Sequence, residues 1–355
     1  MNELMLREIR SQSDMLKDAL GDLRRQAAAF AKREVGRIVL TGSGDSGYAA
    51  LAVEDLFINR VAVPVWTLPS IGAARYPRTG SGDLVVPISV SGEVIRTIEA
   101  SRNARHLGST TLAVVANAES SLARECDATL LMPKPITRAT PHSRDYTATL
   151  LALGVLGEHL SGSHWPDLDV WVEDVDALVS RSLEWASTLV ASPADTRVWF
   201  LGSGPDRGTA AYAALKFWEA GGSWSWWDDL EEFAHGSQLQ ARPGDDVVLF
   251  ATGPAWSRAA EMVPGLIRME MRPFVITDKE LLTNLPAEQQ FLLPSTAARD
   301  IVAFYSCIPV QAITYQYMCS RGVDVLVPMA GASYGETYED VHNEWMRKSR
   351  LEPLG

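Results

Sequence analysis

Short, uninterrupted apolar runs alternate along the chain with longer segments in which apolar residues recur every three or four positions. RIVLTG from Arg37, LVVPIS from Leu84 and TTLAVVAN from Thr110 read as buried strands. DSGYAALAVEDLFINR and EVIRTIEASRNARHLG between them read as helices. Strands alternating with helices predict a parallel sheet covered on both faces. The pattern then repeats. RIVLTGSGDSGYAA from Arg37 returns as RVWFLGSGPDRGTAA from Arg197, and the Gly-Ser-Gly at Gly42 recurs at Gly202. GDLVVPIS pairs with GDDVVLFA, TLAVVAN with PFVITDK, and VPVWTL with WSWWDD. The expected fold class is therefore α/β, with two tandem open parallel-sheet domains of flavodoxin-like type carrying helices on both faces. The expected boundaries are an amphipathic N-terminal helix over 1–36, a first domain over 37–162 and a second over 170–330. The second is introduced by a helix from about Val170 to Leu189 after the linker SGSHWPDLD, and 331–355 is a tail and candidate lid.

Composition fits this picture: 355 residues, 46% hydrophobic and 21% charged, suit two globular units with a core each. No apolar run approaches the ~20 residues of a membrane span, and MNELMLREIR lacks the basic and apolar regions of a signal peptide, so a cytoplasmic protein is expected. A net charge of -12 without a basic stripe argues against nucleic acid. Cys126, Cys307 and Cys319 have neither CxxC spacing nor neighbouring histidines and read as buried thiols, not as a disulfide framework or zinc site. The histidines show no paired ligand spacing, and no metal or organic cofactor is called for.

Ligands of open parallel sheets bind beyond the carboxyl ends of the strands. Two small-residue loops stand there in the first copy, TGSGDSG after the first strand and SVSGEV after the strand at Leu84. Their hydroxyls and free backbone N–H groups suit an anion without lysine or arginine. Neither loop is a Walker A, and GSGDSG lacks GxGxxG spacing. One such loop alone is more often a tight turn; two in one domain point modestly to a site.

SVSGEV with its helix, HSRDYTATLLAL at His142, AALKFWEAG and EEFAHGSQLQARPGDDVV resemble the double sugar-isomerase (SIS) domain family. The likeness covers about Glu8 to Val327 and is nearest in layout to the isomerase half of glucosamine-6-phosphate synthase, beside related deaminases, deglycases and ketose/aldose isomerases. No amidotransferase half is recognisable, so use of glutamine is not expected. The resemblance implies an anion and sugar site from Thr41, Gly42, Ser43, Gly44, Ser89, Ser91 and Gly92, with Ser143 and Arg144 between the domains. Val90 and Val94 stand where the family has polar contacts to a phosphate, which admits a sulfonate or a differently held phosphate. In the second copy it implies catalysis by Lys216, Glu219 and His235: Glu219 as base, His235 opening the ring, Lys216 steadying negative charge or positioning Glu219. Without the resemblance, Lys216 and Glu219 at i, i+3 read as a solvated surface pair and His235 as a cap. Glu231 and Glu232 read as first-turn carboxylates favouring a helix N-terminus, with binding of a substrate amine as the alternative.

The implied function is aldose-ketose isomerisation of an anionic hexose or hexosamine, such as a 6-phosphate, through an enediol. Amino-sugar-phosphate deamination, deglycation, or non-catalytic sensing of a sugar phosphate are the alternatives. The implied partners are a small anionic sugar and a second copy of the chain completing the site, with no nucleic acid and no membrane. In the tail, Lys348, His342 and Arg347 are candidates for a group that reaches the sugar.

Overall fold

The computed structural model describes residues 2–30, 35–76, 78–137, 141–189, 196–220, 224–297, 299–322 and 350. Lys348, His342 and Arg347 lie outside the described residues, and of the tail 331–355 only Arg350 falls within them.

The leading segment is two helices, α1 (Asn2–Arg10) and α2 (Gln12–Ala29), broken at Ser11, where one continuous helix is expected from the sequence. The first sheet contains β1 (Arg37–Gly42), β2 (Val65–Pro69), β3 (Asp83–Ser89), β4 (Thr110–Val115) and β5 (Ala128–Leu131). Between these strands lie α3 (Asp45–Arg60), α4 (Ser70–Arg75), α5 (Ile95–His106) and α6 (Ser121–Glu125). Two long helices follow, α7 (Arg144–Ser161) and α8 (Pro166–Thr188). Pro166 begins α8, where its fixed φ and missing N–H cost nothing, so this helix starts earlier than its apolar period suggests.

The second sheet contains β6 (Val198–Leu201), β7 (Ser225–Asp228), β8 (Asp246–Ala251), β9 (Arg272–Thr277) and β10 (Gln290–Leu292). Its helices are α9 (Asp206–Glu219), α10 (Leu230–His235), α11 (Trp256–Arg268) and α12 (Val302–Arg321). The strand orders are β2-β1-β3-β4-β5 and β7-β6-β8-β9-β10, the same doubly wound order read twice, and every recorded pairing is parallel. The central strands β3 and β8 are buried along their whole length, as strands covered on both faces must be.

The correspondence reaches side chains. Trp66 on β2 and Trp226 on β7 occupy equivalent edge-strand positions, in register with Val39 and Trp199. Arg37 pairs with Asp83 and donates to the Arg78 carbonyl; Arg197 pairs with Asp245 and donates to the Gln240 carbonyl.

The core differs from the two separate cores expected. One apolar cluster runs from Leu40 and Phe57 through Leu151 and Trp171 to Phe200, Tyr212 and Phe304, joining both halves; a smaller cluster around Leu249 and Val263 serves the second sheet. Continuity arises because α7, α9 and α12 are buried around most of their circumference, leaving no polar face to separate the units. Of the thiols, Cys307 is buried, whereas Cys126 and Cys319 are half-buried.

Candidate functional site

The contact that builds the site is an antiparallel crossing of α3 and α9. A Cβ on Gly208 would come within 2.4 Å of the Ala52 nitrogen and 2.6 Å of the Tyr48 carbonyl, so only glycine permits this approach. One on Gly44 would lie 3.8 Å from Leu215, and one on Gly204 would lie 3.1 Å from the Asp55 carboxylate. The start of α3 therefore faces the end of α9. Because α3 starts at the carboxyl end of β1, the last turn of α9 reaches the ligand-binding edge of the first sheet.

Lys216 and Glu219 occupy that last turn. Lys216 has no exposed surface, and its Nζ donates to Glu219 Oε2 at 2.5 Å and to Asp45 Oδ2 at 2.7 Å. Asp45 opens α3 directly after the Gly42–Gly44 turn, in which Gly44 has φ +57°. The carboxylate side chains remain 21% and 23% accessible for Asp45 and Glu219, so the lysine is enclosed and its partners border solvent. Burial pulls the Lys216 ammonium down, but the charges of Asp45 and Glu219 outweigh it and hold the lysine above its ordinary pKa. Burial pushes Asp45 up to about 6, with Lys216 opposing and Glu219 reinforcing the rise.

Aromatic and acidic groups surround this triad. Tyr212 stacks on Tyr146 at 3.7 Å between ring centroids, and Tyr48 meets Trp227 edge-on at 6.3 Å. His142 Nδ1 lies 3.0 Å from Asp145 Oδ2. Burial lowers its pKa, yet Asp145 and the charge of Glu8 raise it further, leaving the imidazole above its usual range.

The two hydroxyl loops flank the same edge. Thr41 is fully buried, and its Oγ1 has no hydrogen-bond partner among the described residues. Ser89 Oγ accepts from the Gly92 N–H at 3.1 Å, and Ser91 Oγ accepts from the Glu93 N–H at 3.3 Å. Gly92 has φ +69°, and a Cβ there would lie 2.2 Å from Ser120 Oγ, so the turn is closed to other residues. Gly42 and Ser43 complete the first loop, and Val90 and Val94 are apolar members of the second. Ser143 is buried before α7, with its N–H and Oγ both donating to Glu8 Oε2, while Arg144 donates to the Lys134 carbonyl.

The matching loops of the second sheet are filled by the protein itself. Asp206 is fully buried and accepts from Thr252 at 2.6 Å and from Ser306; both oxygens of Asp278 accept from the Gly253 N–H at 3.0 Å.

His235 is not brought to the triad within one chain. It ends α10 beyond the carboxyl end of β7, and Glu219 ends α9, which runs back toward the opposite edge over about 21 Å of helix. His235 is 74% exposed and pairs with Glu231 at 3.1 Å. Glu231 also pairs with Arg258 and accepts in the first turn of its helix, where Asp229 caps by accepting from the Glu231 N–H.

Asp45 is the site residue that the loop reading passes over. Its only sequence signal is an acid at the first helical position of a Gly-Ser-Gly turn, which also reads as an ordinary helix-start preference.

Residues 33–158 match the SIS domain family model. The glutamine--fructose-6-phosphate aminotransferase [isomerizing] of Symbiobacterium thermophilum is 27% identical over 91% of this chain and 57% of its own length. The chain thus spans little more than half of that curated relative. Among solved structures, glucosamine-6-phosphate deaminase from Thermotoga maritima superposes with a TM-score of 0.76 at 19% identity, over 92% of this chain and 97% of that one. Tagatose-6-phosphate ketose/aldose isomerase from Escherichia coli gives 0.70 at 20% identity, over 90% and 93%. No described helix is long and apolar enough to cross a membrane.

Proposed function

We propose that this chain, whose residues 33–158 match the SIS domain family model, is an enzyme that moves a proton between C1 and C2 of a hexose or hexosamine 6-phosphate. The observation that carries the reading is Glu219, half out of a buried ion triad and held by an enclosed lysine, beside two hydroxyl-bearing turns at one sheet edge.

In this reading Glu219 takes the proton from the carbon beside the carbonyl. The C–H electron pair becomes the enediolate double bond and the carbonyl oxygen takes the negative charge; the proton of the neighbouring hydroxyl then passes to that oxygen, which leaves the charge on the hydroxyl's own oxygen. The protonated Glu219 returns the proton to the neighbouring carbon, and the aldose and ketose interconvert with no net change in atoms or electrons. Lys216 acts behind Glu219, because its Nζ is spent on the two carboxylates. The phosphate is held by the N–H groups and hydroxyls of Thr41, Gly42, Ser43, Gly44, Ser89, Ser91 and Gly92, with Ser143 and Arg144 at the border. The chain works as a cytoplasmic homodimer in which His235 of the second copy opens the sugar ring. Deamination of an amino sugar uses the same base, and the fold likeness to a glucosamine-6-phosphate deaminase favours including it.

The test is proton NMR in deuterated buffer with fructose, glucose, tagatose and glucosamine 6-phosphates. Deuterium entering C1 or C2 of one sugar, and absent with Glu219→Gln, is the expected result. Exchange with none of them, or exchange undiminished by Glu219→Gln, overturns the reading.

A further inference from the structure

Lys216 carries one positive charge and has two anionic partners drawn from opposite halves of the chain. Glu219, one helical turn away, already satisfies its charge. A second carboxylate adds the cost of desolvating another ion without a second cation to repay it. An acid after this turn need not point at the lysine either: the second Gly-Ser-Gly turn is followed by Pro205 and then Asp206, whose carboxylate is taken up by Thr252 and Ser306. Asp45 nevertheless reaches Nζ at 2.7 Å, and its Oδ1 is buried with no hydrogen-bond partner among the described residues.

We propose that Asp45 is a positioning residue for the proton-transfer reaction: by sharing Lys216 it keeps the lysine from pairing with Glu219 alone, so Glu219 remains a strong enough base. The inference rests on the reading above that Glu219 is the base. A lysine engaged with one carboxylate holds that carboxylate's negative charge more firmly and weakens it as a proton acceptor. Divided between two, the same charge weakens each less. Asp45 is faced by Lys216, Glu219 and Tyr212 from α9, by His142 just before α7 and Tyr146 in its first turn, and by Tyr48 from its own helix. Among these, Lys216 is the group it touches. Its elevated proton affinity, near pH 6, fits an acid that leaves the arrangement as the medium acidifies, returning Lys216 to Glu219.

The test compares pH profiles of kcat/KM for the wild type, Asp45→Asn, Asp45→Ser and Asp45→Glu on whichever 6-phosphate exchanges deuterium. Expected for both neutral variants is a roughly tenfold lower kcat with KM little changed. Their acidic limb moves about one pH unit downward. Asp45→Glu regains part of both. An acidic limb unmoved in Asp45→Asn or Asp45→Ser overturns the proposal, as does a loss confined to KM. Thermal melting of each variant separates these outcomes from misfolding, and the smaller Ser variant carries the test if Asn fails to fold. Activity surviving in Glu219→Gln identifies failure of the base assignment, whatever the Asp45 variants do.

Discussion

Lys216 is the residue on which the site's stability and chemistry meet. Replacing it with Met fits the apolar stem but leaves Asp45 and Glu219 facing each other without a cation, at a cost of about 3–5 kcal/mol. The check is urea unfolding at constant m. The loss carries a pH signature. A carboxylate whose folded pKa is raised binds its proton more tightly when folded, so folding gains as pH falls from the folded value toward the ordinary one near 4. Asp45 already sits at about 6 with Lys216 present, and removing the cation pushes in the same direction. The Lys216→Met deficit is therefore largest at pH 8 and shrinks as pH falls toward 6, where wild-type Asp45 takes up its own proton; a deficit independent of pH contradicts the ion-triad account. The Lys216–Glu219 half of the triad is legible in the sequence because i, i+3 spacing fixes a shared helix face. Asp45 is not, since its partner lies 171 residues away and periodicity reports faces, not long-range pairs.

At the level of elements, the crossing of α3 over α9 sets the distance from Asp45 to Lys216. Gly208 is its contact point, with backbone of the other helix where a Cβ would stand. Gly208→Ala must push the helices apart, and overpacking of this kind costs about 1–3 kcal/mol. Exchange should fall further than Tm alone implies, because the displaced pair is Asp45 and Lys216. Equal losses of folded fraction and activity would show that the crossing only supports the fold. The succession of strands and helices, the loop positions and the two-copy architecture can be read from the sequence because each of these parallel strands is an unbroken apolar run between turn residues. The crossing cannot, because Gly208 within a helix pattern signals only lost propensity until the partner backbone is known. The merged core is hidden for a similar reason: apolar faces can be counted along a chain, but not which of them meet.

At the scale of the whole molecule, the antiparallel crossing turns the carboxyl edges of the two sheets in opposite directions. Glu219 and His235 are close in sequence yet belong to opposite edges; His235 is 74% exposed, and Trp224 and Trp226, just before and within the edge strand β7, are 41% and 47% exposed. A surface with large aromatics and a histidine next to an edge strand fits an interface with a second copy of the chain. If His235 acts across that interface, chains carrying His235→Ala and chains carrying Glu219→Gln are each inactive alone. Co-expressed at equal levels, they form mixed dimers in about half of all pairs, each with one site that has both an intact Glu219 and an intact His235. Activity should return to roughly one quarter of wild type in the co-purified mixture. If His235 serves its own chain, every site in every dimer lacks one of the two groups and the mixture stays inactive, a result that also removes the reason for His235 to stand at the edge opposite Glu219.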